Sequence, residues 1–398
     1  VVLKAFHAWG VACVDRFRGM FAFVIYDSKE QKVFMFRDRA GVKPFYYYVK
    51  DGLFLFASEL KAFHQHPGFV KKINKQVIPT YMQFGYIPAP YSIFEDTYKL
   101  KPGHYIEYDL PKATFEIHQY WNVNSLYCGD KSSASASEDD IVVELEQLLT
   151  DAFQLRMVSD VPVGVFLSGG IDSSVVTALL QKNSDKPLKT FTIGFDEPGY
   201  NEADNAKKIA EHLQTDHTEF YCTKEDALEV IPELATIYDE PFGDSSSIAT
   251  ILVSKLAKQQ VSVVLSGDGG DEAFFGYSKY FALNKVKHLV KPGLTRSLLL
   301  VGTKLLNEER VHWLNQCLPA SYRQTNIRDK FQKFKNAIHS ENFETMFTKA
   351  SSYIQQERVL QYLKEDVIPL KDTNFDHFND LKGIDPSEQM MAIDYQTF

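Results

Sequence analysis

The chain has 398 residues, 44% of them hydrophobic and 24% charged, with a formal net charge of −9. This is ordinary globular usage with room for two or three domains, and the acidic balance argues against a protein that coats nucleic acid. Cys13, Cys128, Cys222 and Cys317 stand far apart with no CxxC pair, so they predict free thiols and argue against a disulfide framework or a zinc site.

The chain enters on a helical pattern at Val1-Val2-Leu3-Lys4. Four apolar or alternating runs then predict strands at Gly19 to Asp27, Lys32 to Phe36, Pro44 to Val49 and Leu53 to Ala57, with turns at Asp27-Ser28, Gly41 and Asp51-Gly52. Val77 to Tyr86 predicts a short helix, Gly85 to Pro90 a turn, and Lys99 to Tyr108 a turn into a strand cornered at Pro102-Gly103. Ser125 to Asp140 is polar after Tyr127, carries the run Ser132 to Ser137, and is the linker candidate. Glu138-Asp139-Asp140 place acids ahead of an amphipathic helix marked by Ile141, Leu145, Leu148, Leu149 and Ala152.

From Val161 onward strands and helices alternate. Strands are expected at Val163–Leu167, Lys189–Phe195, His217–Cys222 and Val261–Leu265, with helices at about Asp172–Lys182, Glu202–Leu213, Lys224–Tyr238 and Ser246–Gln259. Continuous apolar strands alternating with helices predict an α/β fold with a doubly wound parallel sheet, whose ligands sit beyond the carboxyl ends of the strands. After about Tyr280 the pattern is mostly helical. Leu289 to Leu306 is apolar but broken by Lys291, Pro292, Arg296 and Lys304, so no membrane span is expected. The expected segments are 1–122, a linker at 123–140, and 141–398.

Two loops carry chemistry. The first is Ser168-Gly169-Gly170-Ile171-Asp172-Ser173-Ser174, directly after the strand Val163–Leu167. A strand, a glycine turn and a helix start present backbone N–H groups and a positive helix end to an anion. The glycines allow close approach, and the three serines add hydroxyls. Asp172 would repel a phosphate unless a divalent cation sits between them, so the loop predicts the pyrophosphate of Mg-ATP. It lacks the Gly-Lys-Ser/Thr end of a Walker A loop and the GxGxxG of a dinucleotide fold. A lone Gly-Gly would be a tight turn and nothing more; four hydroxyl or carboxylate groups in one loop favour a ligand. The second loop is Ser266-Gly267-Asp268-Gly269-Gly270-Asp271-Glu272, after Val261–Leu265. Its crowded carboxylates repel one another, which calls for a cation or a reacting cationic partner.

The first loop resembles the PP-loop of ATP pyrophosphatases, which cleave ATP between the α- and β-phosphates. Both loops together resemble the synthetase domain of the glutamine-hydrolysing asparagine synthetase family. The resemblance implies that Ser168, Gly169, Gly170, Asp172, Ser173 and Ser174 hold pyrophosphate and that Leu167 and Ile193 flank adenosine, the latter in Phe191-Thr192-Ile193-Gly194-Phe195. It implies that Ser266 and Gly267 contact the nucleotide from the other side. Asp172 and Asp271 would be Mg²⁺ ligands, and Asp268 and Asp271 the catalytic acids, with Asp268 tied to forming and using an aspartyl-adenylate. The family usually continues Asp-Glu-Leu-Phe-Gly/Ala-Gly-Tyr; here Ala273 and Phe275 depart from it, while Phe274, Gly276 and Tyr277 fit. Asp239-Glu240-Pro241-Phe242 and Asp244-Ser245-Ser246 also match, although a turn and a helix cap would explain them as well.

The resemblance extends to the first segment through Phe17-Arg18-Gly19-Met20-Phe21-Ala22-Phe23, Arg37 to Tyr47, Ser58-Glu59-Leu60-Lys61-Ala62 and Gly85 to Pro90. It implies the later part of an Ntn-type α+β glutaminase domain with stacked antiparallel sheets, ahead of the PP-loop domain. It also implies truncation at both ends: the family's N-terminal Cys would precede Val1, and its late phosphate-neutralising Lys would follow Phe398. The glutaminase half-reaction is then expected to be absent from this chain. Cys13 is no substitute, since it lies inside an apparent helix and reads as a buried thiol. The scattered histidines His7, His64, His66, His104, His118 and His217 show no ligand spacing.

The implied reaction adenylates the β-carboxylate of aspartate with ATP and then amidates it with ammonia from glutamine. The alternative acceptor is another carboxylate, such as a uronic acid of a surface polysaccharide. The expected enzyme is cytoplasmic, acts on small molecules without nucleic acid or membrane partners, and allows a homodimer.

Overall fold

The computed structural model describes residues 1–129, 137–195, 201–244, 246–287, 293–319, 323, 327–363, 370 and 373–397. Most of the Ser132 to Ser137 run, Ser245, Lys291 and Pro292 lie outside the described residues. Two compact units divide the chain, one formed by Val1–Cys128 with Phe275–Phe398 and the other by Gly129–Phe274.

The first unit holds two antiparallel sheets. One has the order β1-β2-β6-β7, with β1 at Ala22–Asp27, β2 at Lys32–Arg37, β6 at His104–Asp109 and β7 at Thr114–Gln119. The other has the order β4-β3-β5, with β3 at Tyr46–Lys50, β4 at Leu53–Ala57 and β5 at Thr97–Lys99. Local chemistry sets the hairpins. Asp27 Oδ1 accepts hydrogen bonds from Lys29 N (2.9 Å) and Glu30 N (3.1 Å), which closes the β1–β2 turn. Asp51 and Gly52, both at positive φ (49° and 79°), form the two-residue β3–β4 turn that matches strand twist. Met35 and Ile106 from the first sheet pack with Phe45, Tyr47 and Leu100 around the second, so the sheets stack face to face, as expected. Tyr48 points the other way and joins Leu60, Phe63 and Phe94, so the aromatic run at 46–48 is buried on both faces. The outer face of the first sheet is covered by Ala5, Cys13 and Val14.

The segment Lys99 to Tyr108 turns at Pro102-Gly103 into β6, as expected, while its first residue ends β5 of the other sheet. Strand β7 lies outside the expected elements; its alternation is short, with Phe115 reaching the core and Ile117 exposed at the sheet edge. Cys13 sits in a 3₁₀ stretch, Gly10–Arg16, following the helix Val2–Trp9, and is fully buried. The late helices of this unit, including Ser278–Val286, Phe343–Ala350 and Pro386–Thr397, close around Tyr280, Phe347, Leu381, Met390 and Ile393.

The second unit is a parallel α/β sheet of order β10-β9-β8-β11, with β8 at Val163–Phe166, β9 at Lys189–Phe195, β10 at Asp216–Cys222 and β11 at Val263–Leu265. Val165 and Leu265 pack under the helix Ile171–Lys182 through Val176 and Leu180, with Phe153 and Met157 from the helix Glu138–Met157. Phe191 and Val264 pack on the opposite side against Val253 and Ala257 of the helix Ser246–Lys258. The sheet is therefore covered on both faces, which is why its strands read as continuous apolar runs. Ser137 caps the helix Glu138–Met157, accepting from Asp140 N at 3.2 Å. The expected long helix at 224–238 is broken: Lys224–Val230 gives way to a 3₁₀ turn at Ile231–Glu233 and then Leu234–Ile237, because Pro232 removes a donor and restarts the helix.

Candidate active site

Strands β9 and β10 extend from β8 on one side, and the chain returns to lay β11 against the other. The gap beyond the carboxyl ends of β8 and β11 is therefore a topological switch point, the place where open α/β sheets bind ligands. Both glycine loops leave the sheet there.

The first loop turns at Gly169, whose φ is +84° and where a Cβ would lie 2.9 Å from Ala206 N. Glycine is required there by both conformation and space. Gly170 starts the helix Ile171–Lys182 without a side-chain cap, which leaves first-turn N–H groups for a ligand or water. The hydroxyls bind within the loop. Ser168 Oγ lies 3.0 Å from Ser173 Oγ, Ser168 N donates to Ser173 Oγ (3.2 Å), and Ser174 Oγ donates to Gly170 O (2.6 Å). Ser173 is buried and Ser168 exposed.

The second loop lies directly on the first. A Cβ on Gly267 would stand 2.8 Å from Ser173 N and 3.1 Å from Asp172 C, so backbone meets backbone. A Cβ on Gly270 would stand 2.6 Å from Asp172 Cγ and within 2.9 Å of both carboxylate oxygens. Asp172 thus turns its carboxylate onto the start of the short helix Gly270–Phe274, which carries Asp271 and Glu272. Burial pushes the Asp271 carboxyl above its ordinary range, and the charges of Asp172 and Glu272 push it further. Glu272, given no separate role from sequence, is the buried acid of the group at 5% exposure. Asp268 is exposed at the loop tip, where its Oδ2 accepts from Ser266 Oγ at 2.8 Å.

A pair of mutually repelling carboxylates, Asp172 and Asp271, is a donor set that fits a hard divalent cation. Among the described residues no three His, Cys, Asp or Glu side chains form a closed metal site, so such an ion would take its remaining oxygens from the ligand or water.

Leu167 and Ile193 are not brought together. Leu167 is fully buried against Ala206 and Ala210, so only its backbone is open to a nucleotide. Ile193 is half-buried beside Phe191 in a different cluster. Asp244 acts at the start of the helix Ser246–Lys258, its Oδ1 accepting from Ser246 N (2.8 Å) and its carbonyl from Ser247 Oγ (2.6 Å). Phe275 has a φ of +59°, a left-handed conformation that favours glycine and strains a bulky side chain. Its ring stacks on Tyr280 (centroids 5.0 Å apart) and meets Phe281 edge-on (5.1 Å), and this packing holds the strained backbone.

A family model described as asparagine synthase matches residues 144–398, a stretch containing both loops. The chain belongs to the asparagine synthase family. A model described as glutamine amidotransferase domain matches residues 1–121, which hold both antiparallel sheets. Relatives of this family member include "Putative asparagine synthetase [glutamine-hydrolyzing] 2" of Methanocaldococcus jannaschii, 42% identical over 77% of this chain and 58% of that protein. "Asparagine synthetase [glutamine-hydrolyzing] 1" of Bacillus subtilis is 30% identical over 89% of this chain and 57% of that protein. "Amidase chry2" of Gibberella zeae is 31% identical over 71% of this chain and 43% of that protein. The chain spans about half the length of these curated relatives.

Proposed function

We propose that this chain carries the ATP-cleaving site of a glutamine-dependent asparagine synthetase. The observation that carries the reading is the contact of two glycine loops at the sheet's switch point, with the Asp172 carboxylate against Gly270. The first-turn N–H groups of the helix Ile171–Lys182 and the hydroxyls of Ser168, Ser173 and Ser174 receive the pyrophosphate end of ATP. Ser266 and Gly267 form the facing wall. Leu167 and Ile193 stand on the nucleoside side, Leu167 through its backbone. Asp172 and Asp271 would hold Mg²⁺, which neutralises phosphate charge when bound.

With pyrophosphate gripped as the leaving group, the α-phosphorus is open to the β-carboxylate of aspartate. The carboxylate oxygen forms a bond to phosphorus, and the bond from phosphorus to the pyrophosphate oxygen breaks. Ammonia then attacks the carbonyl carbon of the acyl-adenylate, and AMP leaves with the bonding electron pair. Asp268, at the exposed loop tip, is the acid placed beside this acyl group. Preorganised loop donors supply charge stabilisation where it develops on the leaving group. The amidotransferase match supports glutamine as the nitrogen source in the whole protein, and the same reading places the enzyme in the cytoplasm.

A second reading keeps the chemistry and changes the acceptor to another carboxylate, such as a uronic acid of a surface polysaccharide. Calorimetry of this chain with Mg-ATP tests the site itself. AMP release with ammonium and a panel of carboxylic acids, including aspartate and a uronic acid, tests the acceptor. Aspartate-dependent AMP supports the asparagine assignment; release with the uronic acid alone overturns it.

A further inference from the structure

Far from the glycine loops in sequence, the first unit contains a cavity of ≈ 90 Å³ lined by Arg39, Lys101 and His104 together with Trp121, Tyr395 and amide side chains. No Asp or Glu is among its lining residues, although the chain as a whole carries a net charge of −9. A cavity of mixed lining that gathers Arg39 and Lys101 and holds no carboxylate is a local positive field.

One donor of its lining is incompletely used. Arg39 gives one N–H to Asp15 O (Nη2, 2.8 Å), while its Nε is buried with no hydrogen-bond partner. Asn124, which does not line the cavity, holds the lining residue Gln396 in place by accepting at Oδ1 from its Nε2 (2.7 Å). Asp38, next to Arg39 in sequence, does not answer this need, because its carboxylate is taken by the N–H groups of Phe21, Val42 and Lys43. Buried donors are normally paired with protein or an ordered partner, so the unpaired Arg39 Nε beside a cationic cavity marks a missing acceptor.

We propose that this cavity is a binding site for a small oxyanion, a phosphate or carboxylate group. The cavity is walled on one side by the β5–β6 and β7 region (Lys101, Gln119, Trp121) and on the other by the helix Pro386–Thr397, through Tyr395 and Gln396. Trp121 and Tyr395 already meet across it, with ring centroids 6.0 Å apart. An anion held there would bridge the amidotransferase-matched segment and the last helix of the synthase-matched segment, at a site independent of the nucleotide loops.

Trp9 and Trp313 are partly exposed, so their replacement by Phe leaves Trp121 as a local reporter. In this variant of the full chain, inorganic phosphate or acetate is titrated at ionic strength held constant with chloride, and Trp121 emission is read. The expected result is a saturable change with phosphate, acetate or both, which identifies the group. Its midpoint should weaken at least tenfold in Arg39→Gln/Lys101→Gln, and the response should persist when Gly267→Ala disables the nucleotide loops. No saturable response to either anion overturns the proposal, as does a response kept in the cavity variant and lost in the loop variant. Should the double variant fail to fold, Lys101→Glu alone must abolish the response.

Discussion

Replacing Gly267 by Ala tests whether the two loops touch as described. The new methyl would lie 2.8 Å from Ser173 N, against an ordinary contact of 3.4–4 Å, and also 3.1 Å from Asp172 C and Cβ. Ser173 N belongs to the first turn of a helix whose far side is packed through Val176 and Leu180, so it cannot yield locally. The second loop must move outward by several tenths of an ångström, at an overpacking cost of about 1–3 kcal/mol. Moving that wall also removes Asp271 from its place beside Asp172, so Mg-ATP affinity should fall at least about tenfold, roughly 1.4 kcal/mol. Gly270→Ala is the control. Its methyl would meet only the far end of the Asp172 side chain (2.6–2.9 Å), which can rotate away. That variant should lose less than about 1.5 kcal/mol of stability and should instead weaken the Mg²⁺ dependence of nucleotide binding. Denaturant melts and calorimetry with Mg-ATP measure both. Wild-type affinity and stability in Gly267→Ala would refute the loop contact.

Removing one of two repelling carboxylates should stabilise the ligand-free chain: Asp172→Asn is expected to gain about 0.5–2 kcal/mol in urea melts while losing Mg²⁺-dependent ATP binding. Asp38→Ala leaves the N–H groups of Phe21, Val42 and Lys43 without their acceptor. It should cost about 2–4 kcal/mol, with amide exchange rising first around these residues. Burial holds the His217 imidazole below its ordinary range of about 6.5. The unfolded chain then binds the proton first, so stability is full above pH 6.5 and is lost as pH falls through that value toward the folded pKa. His217→Gln should flatten this slope in melts between pH 7.5 and 5.5, and an unchanged slope would count against the assignment.

Elements whose residues alternate or run apolar were legible from sequence, because burial on one or both faces imprints that pattern. Lys189–Phe195 and Leu53–Ala57 match their expected bounds. Strand β7 escaped because its alternation is only Phe115 and Ile117, and the break at Pro232 because its flanks stay helical. The position of both glycine loops at strand ends was legible too, since glycines, hydroxyls and acids crowd together directly after an apolar strand. The fate of the Leu167 side chain was not. Whether an apolar residue beside such a loop faces ligand or core depends on the helix behind it, here through Ala206 and Ala210.

By itself the sequence determined most of the strands and helices and the two loops with their donors and acids, because each arises from residues close together along the chain. It did not determine that β11, about a hundred residues after β8, lies beside it rather than beyond β10. That order is decided by long-range packing, with Val165 and Leu265 sharing one core and Phe166 and Val264 the other. Only this pairing creates the switch point, sets Gly267 on Ser173, and turns two separate acidic and glycine-rich loops into one site.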